Sequence, residues 1–297
     1  MAKAQQRTTP RRELAQNPLF EQVSPEVGVL DDAAFDAAMR ADPDEALALL
    51  ADLVGATDVR LRELAKRLAG RLFFDVAQRG PLPQRGMGTL RSLPYRPDGG
   101  DLDLDASIET IAEGRAGVID IDGLRVRGWV RPATAMCLLV DRSGSMGGRP
   151  LATAALAAAS VATRSPADYS VLAFGKDVVV AKSQLTPKAG DAVVGDVLSL
   201  RGFGTTDLAG ALWAAGQQLQ RSRAGRKVAV LLSDCRSTVE GDALAAARAL
   251  DELVIVAPDT DAEEAQAFAA RAGVRCLTVA GPSAVADALS QALSRTA

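Results

Sequence analysis

The sequence predicts an α/β protein with a doubly wound, mostly parallel sheet, preceded by a smaller helical region with a β-hairpin. Near-continuous apolar runs such as Met136–Val140 and Val228–Leu232 are each followed by a helical pattern, as expected for parallel strands that are buried on both faces. Before residue 80, leucines from Leu61 to Leu72 recur at helical spacing, which is typical of an amphipathic helix. Asp122-Gly123 lies between two short apolar runs and suits a tight hairpin turn.

A chain of 297 residues is long enough for two domains. We expect residues 1–79 to form a helical region with a basic, disordered tail, residues 80–132 a linker, a short helix and a β-hairpin, and residues 133–297 the sheet domain. The segment Gly80–Gly100 is rich in glycine and proline, which excludes a regular helix or a central strand. This segment is therefore predicted to be a linker or an exposed loop.

The patterns place individual elements along the chain. Strands are expected at Ala135–Val140, Tyr169–Phe174, Val178–Lys182, Val228–Leu232, Leu253–Ala257 and Val274–Val279, with Val118–Ile121 and Leu124–Val130 as the arms of the hairpin. Helices are expected at Asp31–Arg40, Pro43–Val54, Asp58–Gln78, Asp101–Glu113, Leu151–Thr163, Pro187–Leu198, Asp207–Gln220, Gly241–Leu250, Asp261–Ala272 and Ser283–Arg295. The turn at Gly175-Lys176 makes Val178–Lys182 the antiparallel edge strand of the sheet.

Composition excludes several classes of function. The chain has no histidine, so Ser-His-Asp and Cys-His catalysis and His-ligated zinc are unavailable. A net charge of −3 gives no general attraction to nucleic acid or to anionic lipid, and the basic start has no apolar core of signal-peptide length. A cytoplasmic protein is expected, with three free cysteines and no P-loop for ATP hydrolysis.

Oxygen-bearing side chains lie in three loops between the predicted strands and helices. Asp141, Ser143 and Ser145 come directly after one buried strand, Thr206 precedes a helix, and Asp234 follows another strand. In an open α/β sheet, ligands bind beyond the carboxyl ends of the strands. Hydroxyl and carboxylate oxygens are the ligands that Mg²⁺ prefers, so a magnesium site is predicted here, with Mn²⁺ or Ca²⁺ as alternatives.

This order of residues resembles the metal-ion-dependent adhesion site of von Willebrand factor A (VWA) domains, which have a Rossmann-like fold. The resemblance covers the chain from about Ala133 to its end and implies that Ser143, Ser145 and Thr206 are hydroxyl ligands. It implies that Asp141 and Asp234 bind the metal directly or through water. Thr205 is the competing assignment for the threonine, and Cys235 followed by Arg236 stands where family members often have a glycine.

The preceding helical region resembles that of bacterial VWA proteins that work with MoxR-type AAA+ ATPases and, more distantly, the D subunit of magnesium chelatase. The resemblance implies a cytoplasmic, non-catalytic adaptor in which a partner's Asp or Glu completes the metal coordination. Such an adaptor couples the ATPase to a client for cofactor insertion or complex maturation. A metal-dependent hydrolase or phosphatase that uses the same oxygens to activate water, and a scaffold that has lost its ion, are alternatives.

Overall fold

The structure is a computed structural model that describes residues 8–79, 89–95, 101–113, 120–130, 134–142, 147–200, 202 and 204–293. The chain divides into two compact units, formed by the described parts of Met1–Pro83 with Thr134–Ala297 and by those of Gln84–Ala133. The helices of the larger unit are α1 (Arg11–Leu14), α2 (Phe20–Val23), α3 (Asp32–Ala41), α4 (Pro43–Leu53), α5 (Val59–Arg79), α7 (Gly148–Arg164), α8 (Gly190–Leu198), α9 (Leu208–Gln220), α10 (Ala243–Arg248), α11 (Glu263–Ala272) and α12 (Val285–Leu293).

The larger unit contains a six-stranded sheet. Its strands are β4 (Thr134–Asp141), β5 (Tyr169–Phe174), β6 (Val178–Lys182), β7 (Arg226–Leu232), β8 (Leu253–Pro258) and β9 (Arg275–Val279), in the order β6-β5-β4-β7-β8-β9. All neighbouring pairs are parallel except β5 with β6. The predicted doubly wound sheet with one antiparallel edge strand is therefore confirmed.

Strand order reverses at β4. This strand pairs with β5 on one side and with β7 on the other, and the chain builds the sheet outwards in both directions from it. Helix α7, which follows β4, packs on one face of the sheet, whereas α10 and α11, which follow β7 and β8, pack on the other. This divergence opens a crevice at the carboxyl end of β4. Asp141 is the last residue of this strand.

Two apolar cores lie on the two faces of the sheet. One contains alternate residues of the central strands together with α9, α10 and α11. The other contains α7, α8 and α12 together with residues of the N-terminal helices, such as Leu50 and Phe73. Helix α7 is alanine-rich and buried on nearly all sides because the sheet covers one side and α4 and α5 cover the other. A helix that is apolar all round needs such double cover.

The smaller unit contains β1 (Thr89–Pro94), β2 (Asp101–Leu102), α6 (Leu104–Glu113) and β3 (Arg125–Val130), with β3 in the centre of an antiparallel sheet. Two expectations were wrong here. Part of the expected linker is the edge strand β1, because Thr89–Leu93 is free of glycine and proline and Pro94 lies at the strand end, where an edge strand tolerates it.

The second correction concerns the expected hairpin turn. Ile121–Gly123 forms a 3-10 turn, and β3 pairs with β1 and β2 instead of with a strand just before it. Side chains of α6 hold this turn, since Thr110 Oγ1 donates to the Gly123 carbonyl and Ser107 Oγ accepts from the Arg125 amide. The first half of the expected first arm, Val118 and Ile119, lies outside the described residues.

None of the described helices is both long enough and apolar enough to cross a lipid bilayer.

Candidate metal centre

The predicted ligands belong to three loops at the carboxyl edge of the sheet. Asp141 ends β4, Thr206 lies two residues before α9, and Asp234 lies two residues after β7. Both aspartates are half-buried and Thr206 is buried. Ser143 and Ser145 lie outside the described residues, so their assignment as ligands stays a prediction.

The first and third loops are joined directly. Because Val140 pairs with Leu232 across β4 and β7, the residues that follow these strands are neighbours. Ser233 Oγ donates to Asp141 Oδ2 at 2.6 Å and accepts from the Cys235 amide at 2.9 Å. Ser233 thus orients the Oδ2 oxygen of Asp141 at the end of β4.

The second loop is attached to the third through the backbone of Thr206. The Thr206 amide donates to Thr238 Oγ1 at 2.7 Å, and the Thr206 carbonyl accepts from the Thr238 and Val239 amides at 3.0 and 3.2 Å. Ser237 Oγ donates to the same carbonyl at 3.2 Å. These bonds fix the position of Thr206 without using its side chain.

Thr206 as a whole residue is only 1% exposed, yet its side-chain Oγ1 has no hydrogen-bond partner among the described residues. An unsatisfied buried hydroxyl costs about 1–3 kcal/mol, so such groups are rare unless something binds them. Thr205, the competing candidate, is exposed. The residue with the available buried oxygen is therefore Thr206.

The carboxyl end of β5 brings the first and second loops together. The Arg142 amide donates to the Phe174 carbonyl at 2.8 Å, and the Asp207 amide donates to the next carbonyl, Gly175, at 2.8 Å. Asp207 Oδ1 also accepts from the Gly210 amide at 2.8 Å, which caps α9. Thr206 is consequently fixed next to the strand end that adjoins Asp141.

The third loop has an unusual backbone. Cys235 has φ +63° and is the one non-glycine residue with positive φ in the described part of the chain. This left-handed conformation favours glycine and costs other residues about 1–3 kcal/mol. The conformation follows a turn in which Asp234 Oδ1 accepts from the Arg236 amide at 3.0 Å. Cys235 therefore has the left-handed backbone conformation that a glycine at this position would adopt without strain.

Cys235 and Arg236, the two residues that depart from the usual pattern, offer no reactive thiol and no unpaired guanidinium. Burial, together with the nearby Cys276, Asp234 and Asp141, raises the pKa of the Cys235 thiol to about 12, so this thiol stays protonated and unreactive at neutral pH. The Arg236 guanidinium forms an ion pair with Asp261, 2.6 Å from Nη2 to Oδ1. The positive charge of Arg236 therefore lies at the turn that follows β8.

Two half-buried carboxylates and an unpartnered buried hydroxyl fit a hard divalent cation, which prefers oxygen ligands. Among the described residues, no group of three or more Cys, Asp or Glu side chains could hold a metal. A metal at this edge therefore depends on hydroxyl oxygens as well as carboxylates. The sequence places Ser233 in the third loop but does not predict its bond to Asp141, and it gives no signal for Thr238, because both contacts join residues that are distant in the chain.

Comparisons with known proteins bear on the fold and the family. Residues 82–294 match the family model for "VWA domain containing CoxE-like protein", whereas no curated protein matches the chain. Among solved structures, the chain is similar to a von Willebrand factor type A protein from Catenulispora acidiphila, with 17% identity, a TM-score of 0.43, and coverage of 56% of this chain and 43% of that chain. The chain thus spans less than half of that protein's length.

Two further similar structures come from Bacteroides species. An aerotolerance-related membrane protein from Bacteroides fragilis has 18% identity, a TM-score of 0.43, and coverage of 54% of this chain and 98% of that chain. The conserved hypothetical protein BatB from Bacteroides thetaiotaomicron has 15% identity, a TM-score of 0.42, and coverage of 54% and 97%.

Proposed function

Because the chain belongs to the family of VWA domain containing CoxE-like proteins, we propose that it is a non-catalytic, metal-dependent adaptor that binds a partner protein through a carboxylate. The metal is Mg²⁺, or Mn²⁺ or Ca²⁺, held at the carboxyl edge of β4. Ser143, Ser145 and Thr206 supply hydroxyl oxygens, and Asp141 and Asp234 bind directly or through water. A bound cation supplies a hard, positively charged position for an incoming anionic oxygen.

One observation carries this proposal: the buried Oγ1 of Thr206 has no hydrogen-bond partner among the described residues. The backbone on both sides of this hydroxyl is tightly bonded, so its isolation does not result from a loose loop. A role as metal ligand accounts for a buried oxygen whose backbone is fixed and which no donor or acceptor among the described residues uses.

The charge balance of the site favours binding over chemistry. Neutral hydroxyls close to a divalent cation leave it only partly neutralised, so an Asp or Glu from a partner is attracted to it. Ser233 already donates to Asp141, and the Asp234 carboxylate accepts from its own turn. Each carboxylate therefore already accepts a hydrogen bond that orients it as a ligand.

We further propose that the partner is a MoxR-type AAA+ ATPase, and that the chain couples this ATPase to a client in the cytoplasm for cofactor insertion or complex maturation. Membership of the CoxE-like family supports this partner class. The absence of a P-loop from the sequence is consistent with an ATPase activity that belongs to the partner.

Calorimetry with Mg²⁺, Mn²⁺ and Ca²⁺ tests the metal site. We expect the wild-type protein to bind one cation per chain, and the double variant Ser143→Ala, Ser145→Ala to lose this binding. Thr205→Ala, which changes the exposed neighbour of Thr206, is the matched control and should bind as the wild type does. Identical traces for the wild type and the double variant would reject the metal centre.

The partner is tested by mixing the chain with an AAA+ ATPase encoded by a neighbouring gene and measuring co-elution with Mg²⁺ or with EDTA. Co-elution that requires both Mg²⁺ and intact Ser143 and Ser145 is expected. Co-elution that persists in EDTA and in the double variant would show that the two proteins associate through another surface.

A further inference from the structure

Helix α4 places one carboxylate on each of two helix starts in the sheet domain. Asp44 Oδ1 accepts from the Ser283 amide at 2.7 Å, in the 3-10 turn that leads into α12. Asp52 Oδ1 accepts from the Gly148 amide at 2.8 Å, at the start of α7. The two aspartates are eight residues apart, which is about two helical turns or ~12 Å, so they lie on the same face of α4.

The Asp52 contact lies at the downstream end of the predicted metal-binding loop. That loop runs from Asp141, at the end of β4, to Gly147, directly before α7. A Cβ added at Gly147 would lie 3.4 Å from Asp52 Oδ1, so the carboxylate lies close against the backbone there. Gly148 has φ +53°, a conformation that glycine adopts without strain.

Neither end of this loop can shift easily. Asp141 is fixed upstream by Ser233, and α7 is buried between the sheet and the N-terminal helices. An ion pair also joins α4 to α7, with Arg149 Nη2 3.5 Å from Glu45 Oε2. The N-terminal helices thus determine where the loop ends.

We propose that Asp52 is a positioning residue for the metal-binding loop, and that α4 couples the N-terminal helices to the affinity of the site for its cation. This inference rests on the proposed function. Asp52 itself is not assigned as a ligand: it acts by fixing the amide that follows the loop and by placing a negative charge at the positive end of α7.

Electrostatics gives the direction of the effect. The start of a helix carries a partial positive charge, and here that end lies next to the loop expected to hold the cation. Asp52 offsets this charge, so its removal leaves a repulsive partial charge close to the metal and frees the loop end as well. Both changes weaken cation binding.

Coupling between two sites is reciprocal. If α4 strengthens cation binding, then a bound cation must stabilise the docking of α4 by the same factor. Slower amide exchange in α4 on addition of Mg²⁺ is therefore expected in the wild-type protein. A contact that only stabilised the fold would not link the affinity for the cation to the rate of amide exchange in α4.

The two aspartates of α4 provide a matched pair for the experiment. Mg²⁺ affinity is measured by calorimetry on the full chain for the wild type, Asp52→Ala and Asp44→Ala. We expect Asp52→Ala to weaken Mg²⁺ binding roughly tenfold, at the low end of the cost of losing an outer contact to a metal site. Asp44→Ala removes a comparable cap far from the loop and should stay within about twofold of the wild type.

Asp52→Asn provides a milder change because it keeps an acceptor oxygen for the Gly148 amide and removes the charge. It should weaken Mg²⁺ binding about threefold, a partial loss of the same outer contact, and Asp44→Asn should not. If Asp52→Ala fails to fold, this pair carries the test. Amide exchange of α4 with and without Mg²⁺ is measured on the same proteins, and the Mg²⁺-dependent protection should shrink in the Asp52 variants alone.

The outcomes separate the two proposals. If the wild type binds Mg²⁺ and the Asp52 variants bind it equally well, or the Asp44 variants lose as much affinity, the coupling is overturned while the metal site stands. If the wild type binds no divalent cation, the proposed function fails and the coupling falls with it.

Discussion

Buried polar groups at the amino and carboxyl edges of the six-stranded sheet, where the parallel strands begin and end, differ in how completely they are hydrogen-bonded. At the amino edge of β5, the Gln184 side chain donates to Asp168 Oδ1 at 2.8 Å and accepts from Ser170 Oγ at 2.7 Å. Ser222 Oγ donates to the second oxygen of Asp168, and the Gln218 side chain accepts from the backbone amide of Gln184. At the carboxyl edge, the buried Thr206 Oγ1 has no partner among the described residues.

This difference separates structural polar groups from those available to a ligand. A fully bonded network stabilises one arrangement of the chain, so its residues contribute to folding. A rigidly placed oxygen with no partner weakens the folded state slightly and keeps a coordination position free. Stability and cation binding should therefore respond to different substitutions.

Removal of Gln184 should have the largest effect. Gln184→Ala removes the partner of Asp168 Oδ1 and of the buried Ser170 hydroxyl, and we expect a loss of about 3 kcal/mol in the free energy of unfolding. Urea denaturation measures the loss, with the exposed Gln217→Ala as the control. A loss below about 0.5 kcal/mol would mean that the network is not a structural element.

The strained turn at Cys235 should respond next. Cys235→Val puts a β-branched side chain at φ +63°, and we expect it to lower the free energy of unfolding by about 2 kcal/mol. In Cys235→Gly, relief of backbone strain offsets the lost packing of the thiol, so the net change should stay below about 1 kcal/mol. Thermal unfolding of both variants checks this, and equal stability of the two would contradict a left-handed Cys235.

The ion pairs at the amino edge should give a smaller, pH-dependent effect. Glu252 accepts from Arg226 Nε and Nη2 and from Arg275 Nη2, each at 2.8 Å. Burial alone raises the pKa of Glu252, but the two arginines together lower it below its ordinary value of 4.5. A depressed pKa in the folded state adds stability above the ordinary value, and this stability is lost as pH falls through the folded-state pKa.

We therefore expect Glu252→Gln to lower the free energy of unfolding by about 1 kcal/mol at pH 7. The difference from the wild type should decrease as pH falls below 4.5. Urea denaturation at several pH values measures it, and Glu263→Gln, at an exposed position on α11, is the control. A difference that grows towards low pH would contradict the depressed pKa.

The sequence predicts the sheet domain well because local patterns determine most of it. The strands Tyr169–Phe174 and Val178–Lys182 were placed to the residue, since apolar runs end at turn residues there. The smaller unit was less predictable: β1 and β3 pair across an intervening helix and turn, and no local pattern indicates such a pairing.

The same distinction applies to the candidate site. The sequence predicts that Asp141 and Asp234 lie at one edge of the sheet because each follows a parallel strand, and their assignment as ligands stays a prediction. The contacts around them are not predictable from the sequence, because the Thr206–Thr238 bond joins residues 32 positions apart and the Asp52–Gly148 bond joins residues 96 positions apart. Such contacts depend on tertiary packing, which periodicity and composition do not specify.

Thr206→Val tests the central claim most directly, because it replaces the unpartnered hydroxyl with a methyl group of similar shape. Without metal, the variant should be as stable as the wild type or more stable by up to about 1 kcal/mol, since a buried unsatisfied oxygen is removed. Thermal unfolding with and without Mg²⁺ should show that the cation stabilises the wild type and Thr205→Val but not Thr206→Val. A Thr206→Val protein that is destabilised without metal, or that Mg²⁺ still stabilises fully, would contradict the assignment of this oxygen to the metal.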